Sequence, residues 1–364
     1  MSRLSLLVVL SAAFVATTAT PAVDLGGGCT ITSFNQVDSV VKSCSNIVIS
    51  GLTVPAGKTL ELNLKDNAKL TFQGTTKFEH HVWKGPLVII SGNKITVTGA
   101  SGSKLDGQGP AYWDGKGEKT TKPKFFKIKA KGGSVFKNLQ LLNCPVQCVS
   151  IDSCSDLTLS NFNIDNSAGK KLGHNTDGFD ISSSKNLIID NAHVTNQDDC
   201  IAVNKGSNMI FRNIHCSGGH GLSISVGQSK TGSFEDNTIK NVTFIDSYVT
   251  DSDNGIHVKT HSDAGKGSLT DITYQNIEMS GIRKFGINIE QDYENGKPTG
   301  KPKNNIPITK FTAKGIRGHM TGSNSMAVKI LCAQGGCSNW VWSGVSLSDA
   351  AKKSSCTASP VKAC

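Results

Sequence analysis

Aromatic residues make up only 6% of this 364-residue sequence. That scarcity leaves few platforms on which unpaired bases could stack, and nucleic acid is not expected as a partner. Helical periodicity is also scarce. Beyond the N-terminal segment only "FNQVDSVVKSC", Phe34 to Cys44, reads as a short helix. No apolar run approaches the ~20 residues that a bilayer crossing needs, so neither an anchor nor a membrane partner is expected. The run Leu4 to Val15 follows Arg3 and leads through small residues to Ala22. It reads as a secretory signal peptide over residues 1–22, leaving 23–364 as one domain of an extracellular protein. Facing pairs of CxxC motifs are absent, so zinc is not expected, and nothing else in the sequence asks for a metal or organic cofactor. Acidic residues are in deficit, 28 against 38 basic, for a net charge of +10.

Cysteine is well represented. Eleven cysteines in a secreted chain argue for disulfides rather than free thiols. They cluster locally as Cys29 with Cys44, Cys200 with Cys216, Cys332 with Cys337, and Cys356 with Cys364. The trio Cys144, Cys148 and Cys154 remains, and the odd count leaves one thiol over, expected within that trio. Asn241-Val242-Thr243 is the one glycosylation sequon. The basic surplus favours a polyanionic partner of some kind, without choosing among nucleic acid, anionic lipid and acidic polysaccharide.

Self-similarity is the most informative property. Short strands open with small or polar residues at "QCVSI" (Gln147), "DGFDI" (Asp177), "DCIAV" (Asp199), "HGLSI" (His220) and "NGIHV" (Asn254), with "FGINI" at Phe285 set one place later. A second series runs beside it: "DLTLSNFNI" from Asp156, "NLIIDNAHV" from Asn186, "NMIFRNIHC" from Asn208, "NVTFIDSYV" from Asn241 and "DITYQNIEM" from Asp271. Alternating Val, Ile, Leu and Phe bounded by Asn, Asp, Gly and Ser marks strands. One such repeat cannot bury its apolar face alone, whereas stacked coils can. The expected fold is therefore all-β, a right-handed parallel β-helix of about ten coils. Asn191, Asn213 and Asn276 should stack at its turns, and the Cys29–Cys44 segment with its helix should cap the first coil. A meandering β-sandwich would need hairpin turns, but the Asn-Gly and Asp-Gly dipeptides here mostly begin strands.

Stacking makes lateral neighbours of residues far apart in sequence, since adjacent strands lie about 4.8 Å apart. Asp177, Asp199, His220 and Asn254 share one repeat position, and Asp198 stands beside the first two. The alternation of "GIHVKT" turns Ile256 and Val258 inward and sets His257 and Lys259 outward, on the side of Asp180, Ala202, Ser223 and Asn288. The short Ala202 and Ser223 leave a groove floor open to a chain-like ligand. Three clustered carboxylates cannot all ionise comfortably, so one should hold a proton while another gives its own up. Glycoside hydrolysis requires that division of labour. A calcium site is the competing reading of three carboxylates, made less attractive by His220 and Lys259.

These residues also resemble a known family. "NTD" at Asn175–Asp177, "QDD" at Gln197–Asp199, "GGHG" at Gly218–Gly221, "NGIHVKT" at Asn254–Thr260 and "QDYENGKPTGKP" at Gln291–Pro302 are similar to signatures of the polygalacturonases, glycoside hydrolase family 28. "AYWDGKG" at Ala111–Gly117 and the four cysteine pairs extend the resemblance. It implies hydrolysis of α-1,4-galacturonan with inversion by a monomeric enzyme. Asp198 would be the general acid, Asp177 and Asp199 would hold and deprotonate water, and His220 would tune the acid. Asn175, His257, Lys259 and Tyr293 would contact substrate. Tyr293 also reads as a plain packing aromatic. The basic surplus then has its partner in polygalacturonate. One departure stands out: His257 occupies a position where the family ordinarily has arginine. Histidine offers one donor and is often uncharged near neutrality, so protonated His257 should bind substrate better as pH falls. Two rivals remain, a pectate lyase and a galacturonan-binding protein without turnover.

Overall fold

The computed structural model describes residues 28–294 and 296–364, and the expected signal peptide at 1–22 lies outside them. Its main feature is a stack of parallel strands: β1 (Leu60–Asn63), β2 (Val88–Asn93), β3 (Phe126–Lys131), β4 (Val149–Asp152), β5 (Phe179–Ser182), β6 (Ile201–Val203), β7 (Leu222–Val226), β8 (Asn254–His261), β9 (Phe285–Glu294), β10 (Met326–Leu331) and β11 (Ser355–Thr357). A two-residue strand, Lys297–Pro298, pairs antiparallel with β9. The 18-stranded second sheet closes each coil, and its longest strands, such as Ser184–Thr195 and Gly206–Ser217, also pair in parallel. The chain is a parallel β-helix. Eleven of the twelve strands in the first sheet are successive rungs of one stack, close to the ten coils expected.

The corners explain the recurrent asparagines. Asn161, Asn191, Asn213 and Asn276 all have φ between 52° and 55°, a left-handed conformation that asparagine tolerates better than other non-glycine residues. Asn191 donates to Asn161 at 2.7 Å, Asn213 to Asn191 at 2.9 Å, and Asn276 to Asp246 at 2.9 Å. A second ladder runs Asp156, Asn186, Asn208, Asn241. The sequon asparagine Asn241 thus belongs to this ladder, on an exposed corner.

Inside, Ile, Val and Leu form columns, for instance Ile151, Ile181, Val203, Ile224, Val258 and Ile289, all fully buried. Phe211, Phe244, Tyr274, Phe311 and Trp340 form an aromatic stack with centroid separations of 4.6–5.8 Å. Helix α1 (Val37–Ser43) buries Val37, Val40 and Val41 over the first coil, tied by Cys29–Cys44. The Cys200–Cys216, Cys332–Cys337 and Cys356–Cys364 bonds are formed. Within the trio Cys144 bonds Cys148, and the buried Cys154 keeps its thiol. No helix among the described residues is long and apolar enough to cross a membrane. One register expectation needs correcting: Phe285 pairs directly with Asn254, without the one-residue offset. The ladder is set by inward Ile287 facing Ile256, and parity then leaves no freedom.

Candidate active site

The outward face of the first sheet presents a column that runs Lys127, Ser150, Asp180, Ala202, Ser223, His257, Asn288, Lys329 on consecutive strands β3 to β10. A parallel column two residues on contains Ser225, Lys259 and Glu290. Loops entering β5, β6 and β7 add Asn175 to Asp177, Asp198, Asp199 and His220. A cavity of about 590 Å³ is lined by Asp198, Asp199, His220, His257, Lys259 and Tyr293 among others.

Each acid has its own set of partners. Asp199 accepts from Ser223 Oγ at 2.6 Å and from Lys259 Nζ at 2.9 Å, with both partners buried. Asp198 accepts from its neighbour's backbone N–H at 2.8 Å and from Asn175 Nδ2 at 3.2 Å. His220 Nδ1 lies 3.0 Å from its Oδ1. Burial pushes Asp198 upward, but the nearby His174 ring, the His220 hydrogen bond and the charges of His220 and Lys259 outweigh it. Its carboxyl ends well below the usual range. His220 moves the other way: burial lowers it, yet Asp198, Asp199 and Asp253 raise it overall. Asp177 is buried, feels Asp198, Asp180 and Asp199, and is raised well above an ordinary carboxyl. Asp180 is pushed up to about 7 by desolvation, with Lys124 opposing and Asp199 and Asp198 adding.

The division of protons expected from the sequence is therefore present, with different holders. Without substrate the raised acids are Asp177 and Asp180, while Asp198 forms an ion pair with His220. Asp198, Asp199 and His220 each offer an atom within 4.8 Å of the others, a spacing a cation could use. Asp199, however, already binds Lys259 and Ser223, so the cluster supplies its own counter-charge.

The expected substrate contacts divide. Asn175 bridges two loops: its Oδ1 accepts the Glu118 N–H at 3.1 Å while its amide holds Asp198. It positions the acid, and ties the "AYWDGKG" segment to the site. Lys259 is buried against Asp199, and these contacts hold its ammonium above its usual range despite desolvation. Tyr293 packs edge-on to His261 and lies 5.4 Å from the Lys259 ammonium. His257 does not present a free cation to the groove. Its Nε2 lies 2.9 Å from Glu290 Oε1, and burial together with Lys259 lowers its pKa. The arrangement pairs the imidazole with the Glu290 carboxylate. Burial opposes that charge, but His257 and Lys329 hold Glu290 down at about 2, with Lys329 Nζ at 2.8 Å from Oε2.

Several residues escaped sequence reading. Asn196, buried, donates to the carbonyls of Thr176, Asp198 and Asp199, fixing the loop that carries the acids. Gly219 fits because a side chain there would strike the Asp198 carbonyl, and Gly221 has φ +87°. Asp253 faces His220 Nε2 at 3.9 Å and is held by Arg283 and Lys284. Glu290 and Lys329 could have been found by carrying the parity of "GIHVKT" over to "FGINIEQD" and "AVKIL".

Comparison with known proteins places the chain in a family. The family model described as glycosyl hydrolases family 28 matches residues 44–364. The chain belongs to glycoside hydrolase family 28. It is 54% identical to a polygalacturonase of Phaedon cochleariae over 98% of each chain. It is 49% identical to endopolygalacturonase I of Aspergillus oryzae, covering 92% of this chain and 90% of that one. Among solved structures, endopolygalacturonase I of Stereum purpureum, in complex with two galacturonates, is 35% identical with a TM-score of 0.79 over 90% of this chain and 96% of its own. As a family 28 member this chain is a glycoside hydrolase, and Asp198 and Asp199 line its groove.

Proposed function

We propose that this chain is a secreted endo-polygalacturonase that hydrolyses α-1,4-galacturonosyl linkages of polygalacturonate with inversion. The observation that carries the reading is the juxtaposition of Asp198, Asp199 and His220 in one groove, with Asp177 on the adjoining coil. Catalysis needs a proton for the leaving glycosidic oxygen and a base for the attacking water. Asp198 is the acid. It receives its proton when the substrate arrives: galacturonate carboxylates add negative charge beside it, which favours the neutral carboxyl. His220 Nδ1, 3.0 Å away, is the donor within reach. Asp199 takes the water's proton, because its ion pair with Lys259 leaves lone pairs for one more donor. Asp177 holds the water in line. No step calls for a metal or organic cofactor.

Five disulfides among the described residues suit an oxidising, extracellular setting. The test is a reducing-end assay on polygalacturonate, run beside viscosity. The expected result is a fall in viscosity ahead of sugar release, and loss of roughly 100-fold or more of turnover in Asp198→Asn. Products that absorb ultraviolet light would make it a lyase. A non-cleaving galacturonan binder is the second reading, favoured by the neutral His257. Polymer retained in a pull-down with no new reducing ends would establish it.

A further inference from the structure

Where the chain turns from the first sheet into the second, after β3 to β6, the corners enclose a cavity of about 690 Å³ that shares no residue with the catalytic one. Four lysines line it. Lys131 ends β3, Lys185 follows β5, Lys205 follows β6, and Lys240 lies on the strand Thr238–Thr250 after β7. Lys205 is paired with Asp236. Lys131, Lys185 and Lys240 are exposed and have no carboxylate in ion-pair range among the described residues. Glu235 is the one acid on the described wall. Two further acids are sequence neighbours of the lining Ser153 and Ser155. Asp152 is paired with Lys127 at 3.4 Å, and Asp156 accepts from Asn186 at 2.8 Å.

The register of the second sheet runs Ser155, Lys185, Ser207, Lys240 on four consecutive strands. Hydroxyl and ammonium therefore alternate, and the two lysine backbones stand about 10 Å apart. From Lys131 at β3 to Lys240 after β7 the row climbs over four coil steps, about 19 Å. Cations gathered in a concavity with low-dielectric walls repel one another and draw in anions. A small anion reaches one or two of these ammonium groups, whereas a chain that carries charge at intervals reaches all three. The lining holds no aromatic ring on which a base could stack. A concave wall also cannot lie flush against a bilayer.

Building on the polygalacturonase reading, we propose that this cavity is a second binding surface for polygalacturonate, apart from the bond that is cut. Carboxylates of the polymer pair with Lys131, Lys185 and Lys240, and sugar hydroxyls meet the intervening Ser155 and Ser207. The row and the catalytic groove both run across the coils, so one stretch of polymer is held beside another that lies in the groove. Tethering a second stretch raises the effective concentration of substrate at the acids, and it does so for long chains only.

Binding is measured in the Asp198→Asn background by native electrophoresis through gels of increasing polygalacturonate content. Adding Lys185→Glu with Lys240→Glu should weaken binding about fivefold. A control pair on the helix cap and the far coils, Lys42→Glu with Lys314→Glu, changes the net charge equally and should weaken it by less than about twofold. With Asp198 restored, the cavity pair should lower kcat/KM on long polymer about fivefold and leave trigalacturonate turnover unchanged. Should the charge reversals fail to fold, Lys185→Gln with Lys240→Gln replaces them. Equal weakening by the two pairs, or a parallel fall on trigalacturonate, would overturn the second surface and leave the hydrolase standing. Equal retardation of the parent by dextran sulfate would overturn polygalacturonate as its occupant. If the parent releases no reducing ends, the hydrolase reading fails by itself, and the gels still decide the second surface.

Discussion

Lys259 offers the most direct check on how the site is built. Its ammonium is 2.9 Å from Asp199, and the side chains of the pair are only 7% and 6% exposed. Replacing it with methionine keeps the packing volume and removes the charge. Asp199 would then remain buried with only Ser223 as a side-chain donor. Truncating one partner of a buried pair costs about 3–5 kcal/mol, because the survivor is left uncompensated. Lys259→Met should lose that much in urea unfolding followed by tryptophan fluorescence. The double variant Lys259→Met, Asp199→Asn removes both charges and should recover about half of the loss, a coupling that a double-mutant cycle isolates. If Lys259→Met costs under about 1 kcal/mol, or the double variant loses the sum of the singles, the pair is not what holds Asp199. A lysine devoted only to substrate binding would instead raise KM and leave unfolding unchanged.

Asp177→Asn should be more stable than the parent at pH 7 yet no more stable near pH 3. The folded protein keeps a proton on Asp177 that the unfolded chain releases above about pH 3.9, so the parent loses stability as pH rises through that window and the variant does not. Urea midpoints at both pH values check this, and the same variant should lose roughly 100- to 10,000-fold in turnover. In the corner ladder, Asn213→Ala forfeits the hydrogen bonds to Asn191 and His215 and leaves alanine, which tolerates the left-handed region less well than asparagine, at φ 53°. It should cost about 2–3 kcal/mol, and Asn213→Gly, which loses the same hydrogen bonds but is at ease at that φ, about 1 kcal/mol; equal losses would refute the backbone component.

Sequence reading went far here because a solenoid converts spacing into geometry. Once "DGFDI", "DCIAV", "HGLSI" and "NGIHV" are aligned on their inward residues, Asp177, Asp199 and His220 become neighbours without any knowledge of the loops. The asparagine corners were legible for the same reason, since a left-handed residue must recur wherever the coil turns. What stayed hidden is what side chains do across coils. Parity puts His257 and Lys259 on the outward face, but it cannot say that one donates to Glu290 and the other to Asp199. The expectation of a protonated, substrate-gripping His257 rested on treating the position alone. The residues facing it give its Nε2 a partner in Glu290, while burial and Lys259 lower its pKa. Asn175, expected to contact substrate, lines the cavity and also accepts from Glu118 and donates to Asp198, a tie between loops that the signature alone does not reveal.

The same cross-coil pairing accounts for where the protons lie. Asp198 has His220, Asp199 has Lys259, Asp253 has Arg283 and Lys284, and Glu290 has Lys329. Like Asp180, the buried Asp177 has no cation within ion-pair distance among the described residues. Burial without a counter-charge leaves protonation as the remaining relief, so its carboxyl stays neutral. A neutral Asp177 can donate to a water as well as accept from it, whereas ionised Asp199 can only accept. Under the proposed mechanism, water held between the two would be oriented with a hydrogen toward Asp199, the direction in which its proton must leave. The histidine at 257 lies outside that circuit. Standing in place of the family's arginine, it changes a group on the groove wall and not the acids themselves, so the reducing-end assay decides whether turnover survives the exchange.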